Sequence, residues 1–324
     1  MTGVVRTVLG DIAPDALGPT DYHEHLFQVT PLLPGEDLDD EDASRAEAAA
    51  LLASGASAMV EATPTGLGRR PQAVARISRD TGLHVVHTTG LHRHAHYPGP
   101  HQPTELSRSD LLSRFRADLL VGMDDTAVRA GLLKAGVGYW SADEVERTVL
   151  DAVGQLAAET GAPVMVHLEH GSAAHKVLDL LDESGCPPDR VALAHVDRNP
   201  DPGLHLELAA RGAYLGYDGA ARHQRWPDSM LLDCLAEVVA GGGGRRLLLG
   251  GDVARRSRYV SYGGMPGLAY LFDRFVPRVR ARVGDEATDQ ILTENPARWL
   301  SWEPGPAPRH RPEKGSVVHD QHRG

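Results

Sequence analysis

The string Asp21-Tyr22-His23-Glu24-His25 places two imidazoles two residues apart. On an extended strand alternate side chains project the same way, so His23 and His25 would stand side by side. Paired imidazoles on one strand suit a divalent cation. Two polar strand-end histidines with no ligand would give the same string, so the pair gains weight only from its company.

That company is four more polar residues, each at the end of an apolar run. Lys134 closes Ala130-Gly131-Leu132-Leu133, and His167 closes Val164-Met165-Val166. His195 closes Val191-Ala192-Leu193-Ala194, and Asp252 follows the run 247–251. Burying an imidazole or a charge is costly without a partner. The alternative, that each residue caps its own strand, needs four separate accidents.

Lys134 requires its own chemistry, because an ammonium has no lone pair for a metal. A neutral lysine amine can combine with carbon dioxide to give a carbamate, whose two oxygens could bridge two cations. Nearby cations would favour that anion over the ammonium. A plain lysine holding an anionic substrate fits the sequence equally well.

These residues need a scaffold that brings strand ends together. Short apolar or β-branched runs at 20–25, 58–63, 84–89, 130–135, 163–168, 191–196, 213–217 and 246–251 read as eight strands. Runs such as Leu247-Leu248-Leu249 are apolar without alternation, as expected of strands buried on both faces. Helical patterns lie at 41–52, 142–160, 172–182, 204–210, 228–240 and 268–283, with Ser141 and Glu144 forming a capping box for the second. Repeated βα units with eight strands predict a (β/α)8 TIM barrel, whose catalytic groups sit at the C-terminal ends of its strands. Residues 1–18 read as a short N-terminal β-hairpin that could plug one end of the barrel. Residues 1–302 are assigned to one hydrolase barrel, and 303–324, rich in Pro, Arg, His and Gly, to a disordered tail.

Composition narrows the partners. The 324-residue chain is 41% hydrophobic and carries a formal net charge of −11, which argues against a nucleic-acid or anionic membrane surface. No run approaches the roughly 20 apolar residues that span a bilayer, and the start lacks the pattern of a signal peptide. The two cysteines, Cys186 and Cys234, form no metal or disulfide spacing. Reduced thiols and a cytoplasmic location are the expectation. Seventeen histidines raise the prior for a metal site, though most must be bystanders. His92, His94, His96, His170 and His175 lie in loops that could meet substrate, whereas His205 is expected at the surface. Glu61, ending the second strand, is read as a buried supporting group.

The full set resembles the phosphotriesterase-related family of the amidohydrolase superfamily. The matching strings are YHEHLF at 22–27, AGLLKA at 130–135, VMVHLEHG at 164–171, LAHVD at 193–197, GGDVARRS at 250–257 and ENPARWL at 294–300. The resemblance runs in order and spacing from about Val4 to Leu300. It implies a barrel with two divalent ions, zinc first and manganese or cobalt next. By that resemblance His23, His25 and Asp252 would hold the inner ion, His167 and His195 the outer one, and carbamylated Lys134 would bridge them. It also implies a homodimer. A hydroxide between two ions, made near neutral pH, would attack a substrate carbonyl, and Asp252 would pass its proton to the leaving alkoxide.

The substrate is read from loops. The 91–97 loop, ending at Tyr97, lacks the aromatic richness of true organophosphate hydrolases. Loops after strands seven and eight form the usual phosphate site of such barrels, and here they carry Arg222, Arg225, Arg256 and Tyr259. Arginine forks bind phosphate or carboxylate. The segment 255–264 is similar to the family branch that opens lactones of phosphorylated sugars. The expected function is therefore opening of a sugar lactone, phosphorylated or otherwise polar, with Arg222, Arg225, Arg256, Tyr259 and Tyr97 at the substrate. Surface ion pairing of the same arginines is the plain alternative. Phosphotriester or aryl ester cleavage, amide cleavage and a non-catalytic barrel are the competing readings. The last would expect a broken ligand position, and all six are intact.

Overall fold

The computed structural model describes residues 3–100 and 102–303. Eight parallel strands follow in chain order: β1 Thr20–Glu24, β2 Ala58–Glu61, β3 His84–Gly90, β4 Leu132–Val137, β5 Val164–Leu168, β6 Val191–Ala194, β7 Tyr214–Tyr217 and β8 Leu247–Leu249. The Asp252 N–H, just past β8, donates to the His23 carbonyl on β1 at 2.9 Å. That bond draws the first and last strands together, giving the expected (β/α)8 barrel.

The apolar runs are explained by burial on both faces. Val60, Val86, Leu132, Met165, Ala192, Tyr214 and Leu248 pack as one cluster inside the barrel. Their strand neighbours Met59, Val85, Leu133, Val166, Leu193, Leu215, Leu247 and Leu249 join the larger core shared with the helices. Two residues further along the inward rows stand Lys134 after Leu132 and His167 after Met165. The period of two therefore delivers these side chains to the C-terminal mouth.

The leading hairpin pairs Val5–Thr7 with Gly10–Ile12. Val5, Leu17 and Trp299 close the opposite end of the barrel, packed on the interior cluster. Four expectations need correction. The helix after β4 begins at Glu144, and its capping box is Asp143 with Glu146, not Ser141 with Glu144. Asp143 sits in extended backbone, which lets its carboxylate accept from the Glu146 N–H at 2.9 Å. The segment expected as one helix over 268–283 is a π-turn, Leu271–Phe275, running into an α-helix, Val276–Val283. Pro277 has no N–H to continue a regular ladder there. Helices Pro71–Thr81 and Arg108–Leu120 are additions, the second burying Leu111, Leu112, Phe115 and Leu119 along one face. His205 is fully buried, with Tyr217 Oη 2.6 Å from its Nδ1.

Among the described residues no helix is long and apolar enough to cross a membrane. Of the expected tail, only Glu303 lies within the described residues.

Candidate functional site

The six polar residues singled out above converge at the C-terminal mouth of the barrel, all buried. His23 Nε2 and His25 Nε2 lie 3.8 and 3.6 Å from Asp252 Oδ1. His195 Nε2 lies 2.8 Å from His167 Nδ1. Lys134, fully buried on β4, donates from Nζ to the Ala62 carbonyl at 2.7 Å.

Local backbone detail makes this convergence possible. β1 carries one extra residue between Asp21 and Glu24 against β2. Such a bulge re-aims side chains. Here it lets Tyr22 join the interior cluster while His23 and His25 stay together, with ring centroids 5.4 Å apart. His195 and Asp252 sit at positive φ, 69° and 42°. Left-handed backbone costs a non-glycine residue about 1–2 kcal/mol, and such strain concentrates at functional sites.

Electrostatics set the protonation states. Burial pushes His25 down to about 4. Burial, with Arg198 beside it, pushes His195 down to about 3. His167 also lies well below its ordinary value, through burial and then His195. These imidazoles are neutral near pH 7 and offer lone pairs. Burial lowers Lys134 to about 8, against the pull of Asp252, Glu61 and Asp218. Burial alone would raise Asp252, but Arg222 and the facing His23 and His25 outweigh it and hold the carboxyl well below the usual range.

Asp218 was not singled out from sequence. It follows β7 as Asp252 follows β8, and the same strand-end rule would have found it. Burial opposes its ionisation, yet His195 and His23 hold it as a carboxylate. Its Oδ2 lies 3.1 Å from His23 Nδ1, and its Oδ1 lies 2.6 Å from His195 Nδ1. A carboxylate only accepts, so both imidazoles carry their proton on Nδ1 and turn a bare Nε2 inward. Thr63 Oγ1 similarly meets His25 Nδ1 at 2.7 Å.

The donor set fits divalent metal ions. His23, His25 and Asp252 bring ligand atoms within 4.8 Å of one another. His167 supplies a sharper test. Its Nδ1 faces the bare Nε2 of His195, and its Nε2 lies 3.0 Å from Glu169 Oε2. Both positions ask His167 to donate, but a neutral imidazole has one N–H. A cation drawing on the lone pairs of His167 and His195 removes that conflict.

Beside this cluster opens a cavity of about 610 Å³, lined by Arg198, Arg222, Arg225, Arg255 and Arg258 together with Glu169 and His170. Arg198 donates to Asp252 Oδ2 at 2.7 Å, and Arg222 donates to the same oxygen. The structure brings Arg222 and Arg225 to this cavity. It does not bring the other three expected substrate residues there. Arg256 turns to Asp39, 3.6 Å away, and covers the Tyr262 ring. Tyr259 is fully buried and donates its hydroxyl to the His25 carbonyl at 2.5 Å. Tyr97, also buried, donates to the Thr65 carbonyl at 2.9 Å. Arg255 and Arg258 belong to the 255–264 segment read above as lactonase-like, whereas Arg198, three residues past His195, was missed. Among the loop histidines, His92 lies closest in, its ring 4.4 Å from that of His167. His170 is exposed, and His94 and His175 are half-buried.

The model of the phosphotriesterase family matches residues 3–300. The chain belongs to the phosphotriesterase family. Among its relatives is a phospho-furanose lactonase of Mycoplasmopsis synoviae, 31% identical over 92% of each chain. A human N-acetyltaurine hydrolase is 28% identical over 93% of this chain and 99% of that one. In structure, a lactonase from Listeria monocytogenes superposes with a TM-score of 0.88, at 29% identity, over 93% of this chain and 99% of the other. A phosphotriesterase homology protein from Escherichia coli, with phosphate in its active site, gives 0.83 at 27% identity over 89% of this chain and 100% of that one.

Proposed function

We propose that this family member opens a phosphorylated sugar lactone, using two divalent ions held by His23, His25, Lys134, His167, His195 and Asp252. One observation carries the reading: Arg198 and Arg222 tie Asp252 of the buried imidazole–carboxylate cluster to an arginine-lined cavity beside it. Among the arginines that line it, Arg198 Nε, Arg222 Nε and Arg258 Nη2 are buried without a hydrogen-bond partner. Buried unpartnered N–H groups are costly and suit an anionic ligand. The lactonase and the phosphate-bound relatives support the same substrate class.

Zinc is the proposed metal, with Lys134 as its carbamate. Ions held there would supply Lewis-acid polarisation of the lactone carbonyl and a water of lowered pKa. The chain supplies the remaining chemistry. Asp252, kept ionised by Arg198 and Arg222, accepts the proton released as water adds to the carbonyl carbon. It returns that proton to the ring oxygen as the carbon–oxygen bond breaks. Arg225, Arg255 and Arg258 hold the phosphate away from the reacting carbon. Buried Tyr259 and Thr63 fix His25 from behind and do not touch substrate.

An amide reading has one specific support, the N-acetyltaurine hydrolase relative. A sulfonate would suit the same arginines. Organophosphate triesters carry no such charge and leave the guanidinium groups unmatched. The deciding experiment measures metal content, then turnover of the zinc-loaded protein on lactones with and without phosphate, on N-acetyltaurine and on an aryl phosphotriester. Phosphorylated lactones are expected to give the highest kcat/KM. Fewer than one ion per chain, or preference for the amide or the triester, overturns the proposal.

A further inference from the structure

We infer that Asp218 is a positioning residue shared by both ion positions, so that it couples their occupancy. The inference rests on the two-ion reading above, in which His23 serves one position and His195 the other.

The geometry is specific. Asp218 spends one oxygen on each imidazole, Oδ2 on His23 Nδ1 at 3.1 Å and Oδ1 on His195 Nδ1 at 2.6 Å. The two histidines lie on opposite halves of the barrel, just past the middle of β1 and just beyond β6. Asp218 is fully buried, so water cannot replace either bond. Outer carboxylates of this kind fix the tautomer and tilt of a ligating imidazole and raise its basicity.

A third contact keeps the carboxylate itself from turning. Tyr22 donates its hydroxyl to Asp218 Oδ2 from across the barrel. The hydroxyl reaches that oxygen only because residue 216 on β7 is glycine. A Cβ there would stand 2.1 Å from Tyr22 Oη. By contrast, Thr63 meets one imidazole of the four, His25. The other imidazole of the second pair, His167, faces Glu169. Asp218 is therefore the one outer group, among the described residues, that touches an imidazole of each pair.

The test titrates metal-free protein with cobalt(II) in bicarbonate buffer, following calorimetry and the visible ligand-field spectrum. Wild type is expected to show two ions. Asp218→Ala is expected to weaken both by roughly 10–100-fold each, with the spectrum changed at both positions. Thr63→Ala is expected to weaken one ion only. Asp218→Asn preserves shape and decides the matter should the alanine variant fail to fold. Its amide offers one acceptor oxygen and one donor, so one imidazole keeps its tautomer and the other loses it. One ion is then expected to weaken and the other to stay. The inference is overturned if folded Asp218→Ala, or Asp218→Asn, binds both ions within about threefold of wild type. A wild type that binds fewer than two ions instead overturns the two-ion reading beneath it.

Discussion

Arg198 and Asp252 stand on loops after β6 and β8, yet Nη2 of one lies 2.7 Å from Oδ2 of the other. The bond fixes the carboxylate proposed to carry the proton. Removing the arginine takes away a positive charge that keeps Asp252 ionised, so the pKa of Asp252 must rise. Arg198→Met is expected to move the acid limb of kcat/KM to higher pH by about 1–2 units. Activity would then fall earlier as pH is lowered. An acid limb left in place would show that the pair has no such role.

Lys134 sits at about 8 because it is buried. A carbamate forms only from the neutral amine, whose share grows as pH rises through that value. Metal loading of stripped protein is expected to depend on bicarbonate, and to proceed faster at pH 8.5 than at pH 7. Lys134→Met is expected to lower kcat/KM at least about 100-fold and to abolish the bicarbonate effect. Bicarbonate-independent loading of wild type would sink the carbamate assignment.

Burial raises Glu61 to about 7, even with the Thr63 and Leu26 N–H groups helping the carboxylate. A raised carboxyl contributes stability that is full below its unfolded value, near 4.5, and is lost as pH rises through 7. In metal-free protein, wild type is expected to lose stability relative to Glu61→Gln between pH 5 and pH 8. The difference is bounded at about 3 kcal/mol. Denaturant melts at the two pH values measure it, and a constant gap between the proteins refutes the shift.

Gly216 admits the Tyr22 hydroxyl through β7. Gly216→Ala is expected to cost about 1–3 kcal/mol through overpacking, and Gly216→Ala combined with Tyr22→Phe to recover part of it. Thermal melts of the single and double variants read this directly. No recovery in the double variant would mean the clash lies with the ring carbons Cζ and Cε2, which phenylalanine keeps, rather than with the hydroxyl.

Arg256 and Arg225 separate the two uses of arginine in this acidic chain. Arg256→Ala should leave turnover of phosphorylated and plain lactones within about twofold of wild type, since its guanidinium faces Asp39 and Tyr262. Arg225→Ala should raise KM for the phosphorylated lactone about tenfold and spare the plain one. Equal effects of Arg225→Ala on both substrates would remove it from the phosphate site.

The barrel and the six-residue cluster are legible along the chain. Four of those residues end or follow an apolar run, His23 and His25 alternate on one strand, and alternation along a strand is a local rule that needs no knowledge of neighbours. Lys134 follows Leu132 to the mouth for that reason alone. Tertiary structure decided who meets whom. Closure of β8 onto β1 brought Asp252 to His23 and His25, and left-handed backbone at His195 and Asp252 set the final aim of both side chains. The arginines show the same division: 255, 256 and 258 are near-identical in sequence context, but the short turn at Arg256–Arg258 sends 255 and 258 to the cavity and 256 to Asp39. Asp218 became a hub because Tyr22 and His23 of β1 and His195 beyond β6 converge on it, a relationship written nowhere in its own neighbourhood. Loop dihedrals and packing across the barrel choose such partners, and both are non-local.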